Sequence, residues 1–354
     1  VTALVQKLPL RAVAVPYPVL VAVLATALTV SVVVATGIGP VGVPAGEVAG
    51  ILTHHLTGGG DSPATADLIV WRIRLPRVLL SAVAGAGLAL AGAVVQGVVR
   101  NPVADPYLLG LSHGASVGAV LVLTTGTAVL GALTLPGAAF TGASVAMGIV
   151  LAMASRQGRL LPVRLILVGV AFGHLFAGVT SFLLARTDSS AAQQQIIFWL
   201  LGGLSGTSWA TLPVPAIVVG VAAGMLLMRA RRLNALVLGE EASAALGLNA
   251  GRQRWYLLLL VTLLTGTVVA VSGGIGFVGL IVPHLARMLV GADHRRMLPV
   301  TVLLGALFLL WADVAARVLI SPAELPIGVL TAFLGVPCFL LVMRARGLAA
   351  QETA

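Results

Sequence analysis

Arg72, Arg74 and Arg77 place three guanidinium groups within six residues, directly ahead of a long apolar run in a chain with few other charges. Such a cluster must sit at a membrane surface, and its chemistry is that of a landing site for a partner. Other constellations that do chemistry are missing. The six histidines, His54, His55, His113, His174, His284 and His294, include no zinc-protease spacing, so metal ligation is not expected. The glycine-rich run Ser272–Arg287 lacks the lysine and Ser/Thr of a phosphate loop, and no Walker A sequence occurs elsewhere. Asp313 stands one helical turn before Arg317, a spacing that lets them pair. Few acids otherwise interrupt the apolar runs, which disfavours a proton-coupled carrier, and no paired-carboxylate or nucleophile–base set supports an intramembrane enzyme.

The elements that must position these residues are membrane helices. Hydrophobic residues make up 59% of the 354 and charged ones 9%, against about 25% charged in a soluble domain. The net charge of +10 raises nucleic-acid binding, but the arginines fall in short segments between apolar runs rather than along one polar face. Apolar runs lie at roughly 13–35, 78–99, 108–125, 138–154, 165–185, 212–228, 256–271, 275–290, 298–319 and 327–343. The expected fold is therefore all-α, a polytopic membrane protein of about ten transmembrane helices forming one domain over residues 1–354. The first run is read as a spanning helix, not a cleavable signal, and the run Ile196–Leu201 as a surface helix on the outer face.

With the N-terminus inside, sixteen of the 21 basic residues fall on the inner face, which places both termini in the cytoplasm and Arg72, Arg74, Arg77, Arg186 and Arg317 outside. Cys338, the single cysteine, is expected to be a buried, inert thiol. Gly110, Gly114 and Gly118 at four-residue spacing suit close helix packing. His174 lies midway along a span, where a polar group faces the bundle interior or a cavity; it either bonds a neighbouring helix or touches cargo. Asn101–Pro106 holds two prolines and two polar side chains between apolar runs, so it is either a plain inner turn or non-helical backbone lining a pathway. The longest polar inner segment, 229–254, contains a short helix opened by Glu240 and Glu241 and ended by Gly247.

Arg74-Leu75-Pro76-Arg77, Gln96 followed by Asn101-Pro102, Leu109-Gly110, Leu238-Gly239-Glu240, Gly276 to His284 and Glu324-Leu325-Pro326-Ile327-Gly328 resemble, in order, the FecCD-type permeases. These are the membrane subunits of ATP-driven importers for iron siderophores, haem and cobalamin. The resemblance covers about residues 70 to 345; residues 1–69 match only as an apolar span and an outer loop. It implies a type II ABC importer permease fold in the cell (inner) membrane. The implied partners are a second copy of the chain, two cytoplasmic ATPase subunits, an extracytoplasmic binding protein and membrane lipid, but no nucleic acid; a related permease in place of the second copy stays open.

The resemblance also assigns roles. Arg74, Arg77 and Arg317, with Arg72 beside them, would meet acidic residues of the binding protein. Leu238, Gly239, Glu240, Glu241, Leu246 and Gly247 would belong to the coupling segment seated in each ATPase. Asn101 and Val103 match an inner gate, and Leu165–Ala185, which carries His174, matches a helix lining the pathway. Pro162-Val163 replaces a small polar pair of the cobalamin importer, so the gate chemistry is not carried over there and a cobalamin cargo is weakened. No cofactor is implied for this non-enzymatic chain; ATP and Mg belong to the ATPases. The expected cargo is an iron chelate, siderophore or haem, with cobalamin as the alternative.

Overall fold

The computed structural model describes residues 15–57, 64–127, 129, 131–156 and 159–351. Lys7 and Arg11, which entered the inner-face tally, lie outside them, as do the side chains of Arg156, Arg159 and Arg346. The order is α1 (Tyr17–Gly37), α2 (Ala45–Thr57) and α3 (Ala64–Asp67), then a π-helical segment (Leu68–Arg74) running into α4 (Leu75–Val99). A 3-10 turn (Pro106–Leu109) precedes α5 (Leu111–Thr125) and α6 (Thr134–Ala154). The two-residue strands β1 (Ser155–Arg156) and β2 (Arg159–Leu160) lead to α7 (Pro162–Ala185), α8 (Ser190–Leu201) and α9 (Pro213–Met228). α10 (Ala230–Val237), α11 (Glu240–Ala245), α12 (Ala250–Ser272), α13 (Val278–Val290), α14 (His294–Val318) and α15 (Ile327–Gln351) complete the chain.

Each of the ten apolar runs carries a helix. Among the described residues, six helices are long and apolar enough to cross a bilayer unaided, and α9 with α10 passes as a seventh although the pair is bent by 63°. α5, α13 and the apolar part of α15 are shorter. Thirteen residues make α13 about 20 Å long against a hydrocarbon core of about 30 Å. The chain must therefore leave the helical conformation inside the membrane thickness near α13.

α4 forms the centre because its residues are small. Pro76 suits its first turn, no charge intervenes between Arg77 and Arg100, and nearly every side chain is buried. A Cβ on Gly85 would strike the carbonyl of Gly305 in α14, and one on Gly92 the carbonyl of Gly279 in α13, so these backbones touch. α5 and α6 meet the same way: Gly114 faces Gly142, and Gly118 faces Ala138. The four-residue glycine spacing of α5 thus packs the bundle within one chain. Cys338 is half-buried rather than fully enclosed.

Candidate functional site

At one end of the bundle the arginine cluster forms a network that the sequence reading did not foresee. Arg74 donates to the carbonyls of Thr36 (3.3 Å), Gly37 (3.0 Å) and Val41. Arg317 donates to Ile38 (3.2 Å) and Ala35 (3.4 Å). Both guanidiniums thus cap the end of α1, where the last helical carbonyls have no partner and the helix dipole is negative. Arg77 donates from Nε to Asp313 and from Nη1 to Glu324, each at 2.9 Å, and Arg317 lies 3.1 Å from the other oxygen of Asp313. The pairing of Asp313 with Arg317 expected from their spacing is present, and Arg77 joins it from 236 residues away.

Arg74, Arg77 and Arg317 are buried, at 6%, 6% and 3% exposure, and bonded within the chain rather than standing free at the surface. Of the four, only Arg72 is exposed. Asp313 and Glu324 supply one carboxylate for each of Arg77 and Arg317. Beside it, His55 pairs with Asp67 at 2.6 Å and stacks on Trp71 at 4.0 Å, and the Trp209 indole donates to the Trp71 carbonyl at 2.9 Å. Trp at such a level suits the membrane–water interface.

The second region is a junction of two non-helical segments. After α4 the chain turns at Arg100 in the left-handed region, Asn101 Oδ1 accepts the Val103 amide at 3.0 Å, and Asp105 caps the 3-10 turn through the Tyr107 amide at 2.8 Å. Leu108 and Leu109 lie against Gly169, seven residues and about 10 Å into α7, so this segment dips back to membrane depth. There it meets the break between α12 and α13: Ile275 N–H donates to the Tyr107 hydroxyl at 2.7 Å. Gln96 donates to the carbonyls of Gly279 (3.1 Å) and Leu280 (3.2 Å) and accepts from Arg287. Non-helical backbone at such depth is tolerated where protein satisfies its polar groups, as these bonds do. Phe277, at φ +68, is a non-glycine residue in the left-handed region here. Asn101 and Val103 themselves lie half-buried at the junction's near end.

Glycine closes the same break from the other side. Gly202 and Gly328 stand so near the Gly274 backbone that a Cβ on either would strike its carbonyl, and Gly203 N–H donates to Ser272 O at 2.8 Å. The glycine-rich break between α12 and α13 is therefore a three-way contact of α8, the break and α15.

At the opposite end lies the segment 229–254, folded as two helices where the sequence suggested one. Ser243 Oγ donates to the carbonyls of Ala235 (2.9 Å) and Gly239 (2.7 Å), fixing α11 to α10. Glu240 pairs at 2.5 Å with buried Arg254, which also donates to Leu160 O, fixing α11 to α12 and β2. Asn234 donates to Asp293 at 2.7 Å and accepts the His294 amide at 3.0 Å, tying α10 to α14. The Arg295 amide and the Asn234 carboxamide hold the Asp293 carboxyl below the usual carboxylate range. Gly247, at φ +72, ends α11, with Leu248 N–H returning to Ser243 O at 2.9 Å. Leu238 and Leu246 stay exposed at 70% and 62%, and Glu241 is exposed as well. A rigidly anchored helix flanked by two exposed leucines can take up force from a docked partner.

α7 connects these regions. Leu165, Gly169, Gly173 and Thr180 are its buried positions, while Val163, Leu167, His174, Leu175 and Phe182 are exposed; Pro162 occupies its first turn. His174 is on this open face and has no hydrogen bond within the chain among the described residues. A histidine halfway along an apolar helix is costly against hydrocarbon. That face is therefore suited to protein or a watery cavity. The remaining signal missed in the sequence was long-range: nothing local marks Asp313 or Glu324 as partners of Arg77, or Arg254 as the partner of Glu240.

The FecCD transport family model matches residues 26–345. The Halobacterium salinarum cobalamin import system permease protein BtuC is 43% identical over 284 residues, covering 80% of this chain and 75% of that one. The Yersinia pestis hemin transport system permease protein HmuU is 44% identical over 282 residues, covering 78% and 84%. A structure solved in an inward-facing conformation and described as a metal-chelate type ABC transporter superposes with a TM-score of 0.81 at 33% identity, over 92% of this chain and 99% of that one. The all-α polytopic fold read from the sequence is the one shared with that neighbour.

Proposed function

Because this chain belongs to the FecCD transport family, we propose that it is the membrane-spanning subunit of an ATP-binding-cassette importer that moves an iron chelate, siderophore or haem. It works as a pair of copies, with two ATPase subunits on the α10–α11 face and a binding protein delivering cargo at the Arg72 face. The observation that carries this reading is the separation of two specialised ends by a bundle with broken helices: an arginine cluster at one, an anchored helix with exposed leucines at the other. The chain itself supplies no nucleotide site; ATP and Mg act on the partner subunits, and both termini lie on their side.

In this scheme the ATPases bind α11, its motion passes through Ser243 and Arg254 into α10 and α12, and the junction at Asn101–Leu109 and 273–277 opens or shuts. For the switch to work, ATP binding must favour one state over the other, and a swing from about 1:99 to about 99:1 takes about 5.5 kcal/mol. α7 lines the route, with Val163 and His174 exposed to cargo. The haem-system relative favours an iron chelate; the cobalamin-system relative supports the second reading, that the cargo is cobalamin.

The test is uptake by proteoliposomes containing this chain and its ATPase, offered the cognate binding protein loaded in turn with a ferric siderophore, haem or cobalamin. Uptake of an iron chelate is expected. Uptake of cobalamin alone would replace the first reading with the second.

A further inference from the structure

Two cavities of unlike lining meet at the Arg77 end of the bundle. The first, of about 370 Å³, is polar: Gln195 and Ser205 stand exposed on its wall, and its charged groups are Arg77 and Glu324, one of each sign. The second, of about 380 Å³, lies among α6, α9 and α12 and is lined by apolar side chains such as Phe140, Val214, Val218 and Leu263. Pro136, Thr211, Ala270 and Val271 line both, so the polar cavity passes into the apolar one.

Depth decides what the apolar cavity takes. Its mouth is at Thr211, two residues from Trp209, which marks the membrane–water interface. From Val271 at that level to Leu263 the chain descends eight residues of α12, about 12 Å, close to half of a hydrocarbon core of about 30 Å. Val214, Ile217 and Val221 form an exposed apolar stripe along α9, so hydrocarbon is what surrounds this side of the helix. An apolar slot one leaflet deep beneath a polar mouth has the form of an amphiphile.

We propose that the joined cavities bind one phospholipid of the leaflet at this end, its acyl chain among α6, α9 and α12 and a primary-ammonium headgroup, that of phosphatidylethanolamine, in the polar cavity. The charges of the lining select the headgroup. Arg77 is already paired with Asp313 and Glu324, each at 2.9 Å, so an anionic lipid gains no unpaired cation there. The Glu324 side chain, 39% exposed, accepts an ammonium N–H while keeping Arg77, because a carboxylate takes several hydrogen bonds. A choline headgroup has no N–H to give. The Gln195 carboxamide and the Ser205 hydroxyl supply donors for the phosphate. The lipid also touches the moving part: Ala270, Val271 and Ser272 wall the site and lead directly into the break at Gly273, where Ser272 O accepts Gly203 N–H. A bound chain braces this end of α12 against α6 and α9. Such a site requires only the membrane setting and is independent of the cargo.

The experiment is native mass spectrometry of the full chain, stripped of lipid in detergent and offered equal amounts of phosphatidylethanolamine, phosphatidylcholine and phosphatidylglycerol. Wild type is expected to retain phosphatidylethanolamine about tenfold over the other two, the scale of one charge-assisted hydrogen bond. Its unfolding midpoint should rise most with the same lipid, since a ligand of the folded state stabilises it. Val214→Trp, at an exposed position on the apolar cavity, is expected to lose retention of all three lipids, and Glu324→Gln to hold them without preference. Equal retention of the three lipids by wild type would overturn the inference, as would wild-type retention by Val214→Trp or an undiminished phosphatidylethanolamine preference in Glu324→Gln. Each of those results leaves the transport reading standing.

Discussion

The Nε of Arg77 lies 2.9 Å from the Oδ1 of Asp313, joining residues 236 positions apart in a site where Asp313 has no exposed surface. Arg317 shares the same carboxylate. Removing it would leave two buried guanidiniums with one acid between them. Asp313→Asn is therefore expected to destabilise the folded chain by about 3–5 kcal/mol. The check is the thermal unfolding midpoint in detergent, set beside the exposed variant Arg72→Ala, whose midpoint should not move.

Docking should depend differently on the arginines that the structure separates. Arg72→Glu changes an exposed charge and is expected to weaken capture of the binding protein at low salt by about two- to fivefold, an effect that fades as salt rises. Arg74→Glu, by contrast, faces the α1 carbonyls with an acceptor and should lower stability itself. Titration of binding against salt, with unfolding measured in parallel, distinguishes the two.

Backbone contact predicts a sharp contrast among glycines. Gly85→Val would drive a branched side chain into the Gly305 carbonyl and is expected to cost upwards of about 3 kcal/mol or to abolish accumulation of folded protein. Gly148→Val, in open space on α6, should be silent. Yield of monodisperse protein reports both.

How much of this could be read from the chain follows from the range of the forces involved. The helices show in the sequence because bilayer insertion is decided by local apolar composition, and Gly247 and the prolines near 102–106 mark real ends and turns. α2 and α10 did not show: they are short, and the polar residues that make them amphipathic read as loop. Asp313 with Arg317 was visible because a helix fixes the distance between positions i and i+4. The burial of Arg74, by contrast, depends on carbonyls more than thirty residues away, and no local pattern reports it.

The inner helix gives a coupling prediction. Leu246→Glu places charge on the exposed apolar flank of α11 and should prevent the ATPase from co-purifying while leaving the chain folded. Ser243→Ala removes the side-chain bond to Ala235 that fixes α11 to α10 and should keep the ATPase bound but lower transport per ATP hydrolysed. The ratio of uptake to hydrolysis separates these outcomes.

The central claim is that this chain is a passive conduit, loaded at the Arg72 face and driven from the α11 face. Proteoliposomes holding the chain with its ATPase, given loaded binding protein on one side and ATP on the other, test it most directly. Uptake is predicted only when binding protein and ATP are on opposite sides, with none from the chain alone. Cargo movement by the chain without ATPase or ATP would contradict the account.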